Sequence, residues 1–252
     1  MNAGDEEVVW HDAECGSYDG DLALWERLCT EHGGPVLELG AETGRLSLHL
    51  ARRGYEVVAV ELSRTLAEAL RQRAGEEGLP VEVVVADART LELERRFPLV
   101  LASMQFVQLF LSPDERRSVL GACGRLLEPA GVLAVAIVDG SPEADDGAEA
   151  EDVELIPDVR EVGDVVYASQ PVSSEVHEGV IESERRRRRV SPSGELTDAR
   201  HVDRLALLDA ASLGTEAAEA GLRAVGTEAI APTALHVGSR VVLFERSGSE
   251  GD

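Results

Sequence analysis

The chain is predicted to fold as a doubly wound α/β domain: a mostly parallel, seven-stranded sheet with a terminal antiparallel hairpin and an inserted antiparallel sheet as cover. Three observations predict it. Short, β-branched, unalternating apolar runs recur between helical stretches from residue 36 onward, the pattern of strands covered on both faces. Between residues 164 and 209 the period becomes two, and two further strand-like runs close the sequence.

In order, "VLEL" (36–39), "EVVAVE" (56–61), "VEVVVAD" (81–87), "LVLASM" (99–104) and "GVLAVAIVD" (131–139) are the parallel strands. Helices over 44–53, 63–77 and 113–127 connect them, the last opened by Ser112 as N-cap ahead of Pro113. Residues 141–158, "SPEADDGAEAEDVELIPD", lack the apolar content to order themselves and read as a mobile loop. Three segments, "DVVYASQPVSSEVH", "GVIESERRRRRVS" and "ELTDARHVDRLALLD", then form the antiparallel insertion, the last two parted by the turn "SPSG" at 191–194. A helix over 210–220, closed by Gly221, leads to "RAVGTEAIA" and "SRVVLFER", joined by "PTALHVG".

Charge narrows the partners. With 48 acidic residues against 24 basic ones, all of them Arg, the formal charge of −24 repels a phosphate backbone or an anionic membrane, so neither is expected. Cys15, Cys29 and Cys123 are odd in number and scattered, which argues against a disulfide framework or a zinc site. The acidic start "MNAGDEEVVW" has no basic segment followed by an apolar one, and "VLAVAIV" is too short to span a bilayer; a cytoplasmic location is expected.

The candidate site begins at "VLELGAETGRLSLHLARRG", residues 36–54. A strand, a turn with Gly40 and Gly44, and an amphipathic helix bring backbone N–H groups and a helix N-terminus to one point, which suits a nucleotide or another anionic group. A dinucleotide fingerprint needs glycines at 40, 42 and 45, where this chain has Gly40, Glu42 and Arg45. Glu61, about 20 residues past the turn, sits where a carboxylate accepts both ribose hydroxyls. Taken alone it suits a nicotinamide cofactor equally well.

Glu38-x-Gly40-x-x-x-Gly44 resembles the first motif of the class I S-adenosylmethionine-dependent methyltransferases of small-molecule type. Asp87 in "VVADAR", the fourth-strand "PLVLASMQFVQLF", "LLEPAGVLAV" in place of L-x-P-G-G, and the hairpin ending extend the resemblance over residues 18–246. It implies S-adenosylmethionine as cofactor, S-adenosylhomocysteine as product, and a small-molecule acceptor methylated on oxygen or nitrogen. The cofactor-binding residues it implies are Tyr18, Glu38, Gly40, Ala41, Gly44, Glu61, Leu62, Asp87, Ala88, Ser103 and Met104, with His236 of the hairpin loop as catalytic base or orienting group. On this reading residues 1–140 are the cofactor-binding core with an N-terminal helical segment, 141–208 the acidic loop and cover, and 209–252 the helix and hairpin that complete the core.

One departure stands out: Glu42 replaces the motif's middle glycine, so its side chain must point away from the cofactor or crowd the methionine part. That residue keeps a rival open, a binding module without turnover, while the glycine spacing and Asp87 disfavour a nicotinamide oxidoreductase. The arginines at 185–189 alternate across a strand, three on one face and two on the other, and read as a face neutralised by local acids, with anionic-substrate recognition as the alternative. A homodimer is compatible with the sequence.

Overall fold

Apolar side chains on both faces place strand β1 (Val36–Leu39) at the middle of a sheet, where Val36, Leu37 and Leu39 are almost fully buried. The computed structural model describes residues 3–139, 156–233 and 236–248. Around β1 lie β2 (Val57–Glu61), β3 (Val81–Val85), β4 (Phe97–Ala102), β5 (Leu127–Ile137), β10 (Leu222–Ile230) and β11 (Ser239–Arg246). Their order is β10-β11-β5-β4-β1-β2-β3, with β11 antiparallel to both its neighbours. The direction of winding reverses between β1 and β4, so the crevice outside their carboxyl ends is where a ligand of such a sheet sits.

Helices cover both faces. α2 (Leu22–His32) and α3 (Arg45–Arg52) bury Trp25, Leu28, Leu46 and Leu50 against Val57, Leu99 and Leu101. α5 (Pro113–Leu126) and α6 (Ala210–Glu219) press Val119, Leu120, Leu126 and Leu213 onto Val100, Leu133 and Phe244. α4 (Arg64–Glu77) is capped by Ser63 and stopped by Gly78. α5 and α6 are tied by a buried ion pair, the Arg116 guanidinium donating to both oxygens of Glu216 at 2.7 and 2.6 Å.

Differences from the expected elements have physical causes. β5 begins at Leu127 rather than 131, because the "LEPA" stretch still pairs, Leu127 opposite Phe97, before a register shift. The insertion has four strands, not three: β6 (Asp158–Val162), β7 (Val165–His177), β8 (Val180–Val190) and β9 (Leu196–Ala206), in that order. β6 carries few apolar groups, and its order comes from pairing with β7 and from ion pairs of Asp158 with Arg185 and Arg160 with Asp12. Residues 141–155 of the acidic loop lie outside the described residues.

α1 (Ala3–Glu14) lacks an apolar stripe. It bridges the cover and the core through polar groups of its last turns, and Val9 and Trp10 close a small cluster with Val165 and Tyr167. Trp10 meets Tyr167 edge-on, centroids 5.0 Å apart. Three of the five arginines face α1: Arg185 and Arg187 converge on Glu14, and Arg189 reaches Glu6. Arg186 and Arg188 pair with Asp198 on the other face. The expected neutralisation by acids holds, with half of those acids coming from the N-terminal helix.

Candidate functional site

Four strand ends line one cavity of about 410 Å³. Asp87 and Ala88 follow β3, Glu61 and Leu62 end β2, Gly40 and Glu42 follow β1, and Ser103 and Met104 follow β4. Phe106, Phe110, Arg89 and Glu115 are also in the wall. The volume falls within the usual range for small-molecule sites.

The turn after β1 is fixed by its glycines and by backbone bonds. Gly40 has φ 66°, and a Cβ there would come within 2.4 Å of the Phe106 ring, so the backbone and the aromatic wall meet only because no side chain intervenes. Gly44, at φ 95°, is the N-cap of α3, and a Cβ would strike Leu70 at 2.2 Å. Ala41 N–H donates to the Val60 carbonyl at 3.0 Å, locking the turn to β2.

Glu61 is the anchor of this corner. Its two carboxylate oxygens accept the backbone N–H groups of Glu42, at 2.9 Å, and Ser63, at 2.7 Å. Burial pushes its carboxyl above the usual range, opposed by those hydrogen bonds. A carboxylate has about four acceptor sites, so room remains on Glu61 for a hydroxyl beside the backbone N–H groups it already accepts. Asp87 caps a short 3-10 turn and is gripped by Arg89, whose guanidinium holds the carboxyl below its ordinary range.

Met104 also borders a second cavity of about 320 Å³, lined by Tyr18, Asp21, Gln105, Ser183, Arg185, His236 and Ser239 among others. Here the core supplies the floor and the inserted β8 the roof. Tyr18 and His236 stack against each other with ring centroids 4.6 Å apart. Burial raises the Tyr18 phenol, which keeps it neutral. His236 Nδ1 lies 3.4 Å from the Thr233 hydroxyl, and Nε2 has no hydrogen-bond partner among the described residues. Met104 and Gln105 both have positive φ, 46° and 61°, a strained backbone at the junction of the two cavities.

The structure thus brings Gly40, Glu61, Leu62, Asp87, Ala88, Ser103 and Met104 together on one cavity. Glu38 and Ala41 are buried and do not line it, Gly44 lines a separate cavity of about 290 Å³ beside Thr43 and Arg45, and Tyr18 and His236 belong to the adjoining one. Glu38 is buried and accepts the Ser47 hydroxyl; burial pushes its carboxyl up to about 8. Arg89, Phe106, Phe110 and the α1 residue His11 escaped the sequence reading. The "QFVQLF" run carried a faint signal in its two aromatics, whereas His11 carried none.

Residues 36–131 match the family model described as "Methyltransferase domain". Among curated relatives, the carboxy-S-adenosyl-L-methionine synthase of Pseudomonas putida strain GB-1 is 36% identical over 101 residues, covering 38% of this chain and 40% of that protein. The match therefore spans well under half the length of such relatives. Over nearly the whole chain the structure is similar to the CcbJ methyltransferase from Streptomyces caelestis, with TM-score 0.71, 21% identity, and 98% and 99% of the two chains covered. It is also similar to the sugar N-methyltransferase KedS8 from Streptoalloteichus sp. ATCC 53650, with TM-score 0.71, 19% identity, and 96% and 92% covered. The chain has the class I S-adenosylmethionine-dependent methyltransferase fold. Residues 36–131, the stretch that matches the family model, span β1 to β4 and the start of β5.

Proposed function

We propose that the protein transfers the methyl group of S-adenosylmethionine to an oxygen or nitrogen of a small-molecule acceptor. The observation that carries this reading is Met104, which borders both cavities and so puts the end of one against the other. The donor set fits the cofactor: acids at the ends of β2 and β3 for ribose and adenine, and a glycine-walled turn between them and β4. Glu61 would hold the ribose hydroxyls, Asp87 with the neighbouring backbone of Ala88 the adenine amino group, and Gly40, Ser103 and Met104 the methionine part.

When bound, S-adenosylmethionine supplies a methyl group already activated by its sulfonium charge. The protein's share is then alignment and exclusion of water. Tyr18, His236 and Ser183, which line the second cavity, would wall the acceptor, and His236 Nε2 would orient an acceptor hydroxyl or amine and take its proton. The likeness to a sugar N-methyltransferase supports a hydroxylated amine as acceptor. A cytoplasmic location fits three free cysteines, two of them buried, and among the described residues no helix is long and apolar enough to cross a membrane. A homodimer is part of the proposal, and light scattering decides it.

Titration calorimetry with S-adenosylhomocysteine followed by a methyl-acceptor screen over amino sugars and phenols tests the reading. Binding with turnover is expected; binding without turnover in any acceptor class would favour a silent binding module instead. Once an acceptor is found, His236→Ala should lower turnover, by about 100-fold or more if it serves as base, with S-adenosylhomocysteine affinity unchanged. Full turnover at saturating acceptor would reduce His236 to a structural role.

A further inference from the structure

Glu42 occupies the middle position of the glycine turn with φ 51°, a conformation that costs energy for any residue with a Cβ. Two contacts hold it there. Its backbone N–H donates to Glu61 at 2.9 Å, and its Oε2 is bound by Nε2 of His11, whose Nδ1 lies 3.0 Å from the Thr43 hydroxyl. A carboxylate is therefore pinned in the cavity wall by the N-terminal helix, and it is still part-exposed.

Its place along the cavity says what it meets. Asp87, Glu61, the turn after β1 and the turn after β4 follow one another across neighbouring strand ends. With adenine at Asp87 and ribose at Glu61, the amino-acid end of the cofactor lies over Gly40, Glu42, Ser103 and Met104. Among the described residues lining that end, Glu42 alone is charged. Glu38 does not compete: its carboxylate stands behind the turn on Ser47, and with a carboxyl raised to about 8 it is largely protonated at neutral pH.

We propose that Glu42, oriented by His11, receives the α-ammonium group of the cofactor's amino-acid end through its Oε1, which has no hydrogen-bond partner among the described residues, with His11 as the positioning residue. This rests on the cofactor reading given above. The substitution that departs from the motif thereby becomes a binding group, a charge-assisted hydrogen bond where a glycine offers none.

Titration calorimetry with two probes, S-adenosylhomocysteine and 5′-methylthioadenosine, tests it on the wild type and on Glu42→Gln, Glu42→Gly and His11→Ala. The second probe keeps the adenosyl part and lacks the ammonium. Glu42→Gln and Glu42→Gly should weaken S-adenosylhomocysteine by about 10-fold or more, the usual loss of a hydrogen bond to a charged group, and leave 5′-methylthioadenosine within about twofold. His11→Ala should show a smaller loss, again confined to S-adenosylhomocysteine. Glu42→Gly removes the positive-φ strain, and its affinity for 5′-methylthioadenosine reports whether the adenosyl site remains folded. Equal affinity of wild type and Glu42→Gln for S-adenosylhomocysteine overturns the inference, as does a parallel loss for both probes. Failure of the wild type to bind either probe overturns the cofactor reading itself.

Discussion

The parallel core and the inserted sheet are both β-structure, yet they are held by different forces. In the core, β1 and β2 are buried at every position, and their order follows from the apolar area removed from water on two faces. In the insertion, β9 is exposed along nearly its whole length, and the outer face is a ladder of cross-strand pairs such as Arg186–Asp198, Arg200–Glu184 and Arg204–Glu182. Pairs so exposed contribute little each. The cover is fastened instead by Val9, Trp10, Val165 and Tyr167 and by the acids of α1. A core built on burial melts as a unit, whereas a cover mounted on one small cluster can loosen alone, which suits a roof over an acceptor cavity.

Breaking the core should have the largest effect. Glu216→Ala leaves the buried Arg116 without its partner, so a global loss of about 3–5 kcal/mol is expected in urea unfolding; a loss below about 1 kcal/mol would mean that the pair does not brace α5 and α6. Breaking the cover should be local. Tyr167→Ala should lower the opening free energy of β7 and β8 by about 3 kcal/mol, read by hydrogen exchange, while amides of β1 and β4 keep their protection. Uniform acceleration through both sheets would erase the distinction.

Smaller still is the effect at the ligand corner. Glu61→Ala should weaken S-adenosylhomocysteine by about 1.5–3 kcal/mol in calorimetry, with unchanged affinity contradicting the ribose assignment.

Burial opposes the His11 charge, but hydrogen bonds with Cys15 and Glu42 outweigh it and raise the imidazolium from 6.5 to about 10. Glu38 is raised from 4.5 to about 8 by burial. In both cases the folded protein holds the proton more tightly than the unfolded chain, so stability falls as pH rises, through about 4.5 to 8 for Glu38 and about 6.5 to 10 for His11. Melting temperature should decline from pH 5 toward pH 9. Glu38→Gln should flatten the lower part of that slope and His11→Asn the upper; a profile that rises over this window would refute both.

Much of this was written locally. The strands of the core are legible because each apolar run must be buried on two faces, and the turn at Gly40 and Gly44 because positive φ and a close approach to Phe106 and Leu70 admit no side chain. Glu61 and Asp87 were legible for the same reason: a strand end fixes where a carboxylate can stand. The bounds of the N-terminal helix α1 and the existence of strand β6 were not, since neither carries an apolar pattern of its own. His11, Asp12 and Glu14 are unremarkable acids and a histidine in sequence, and find Glu42, Arg73 and Arg187 only 31, 61 and 173 residues away in the folded chain. Sequence by itself determined which segments must hide from water and which turns must be glycine. Only the tertiary structure decided that Glu42 would be pinned rather than free, and that Met104 would be the wall shared by two cavities, because charge partners and shared walls depend on which distant segments the buried core brings together.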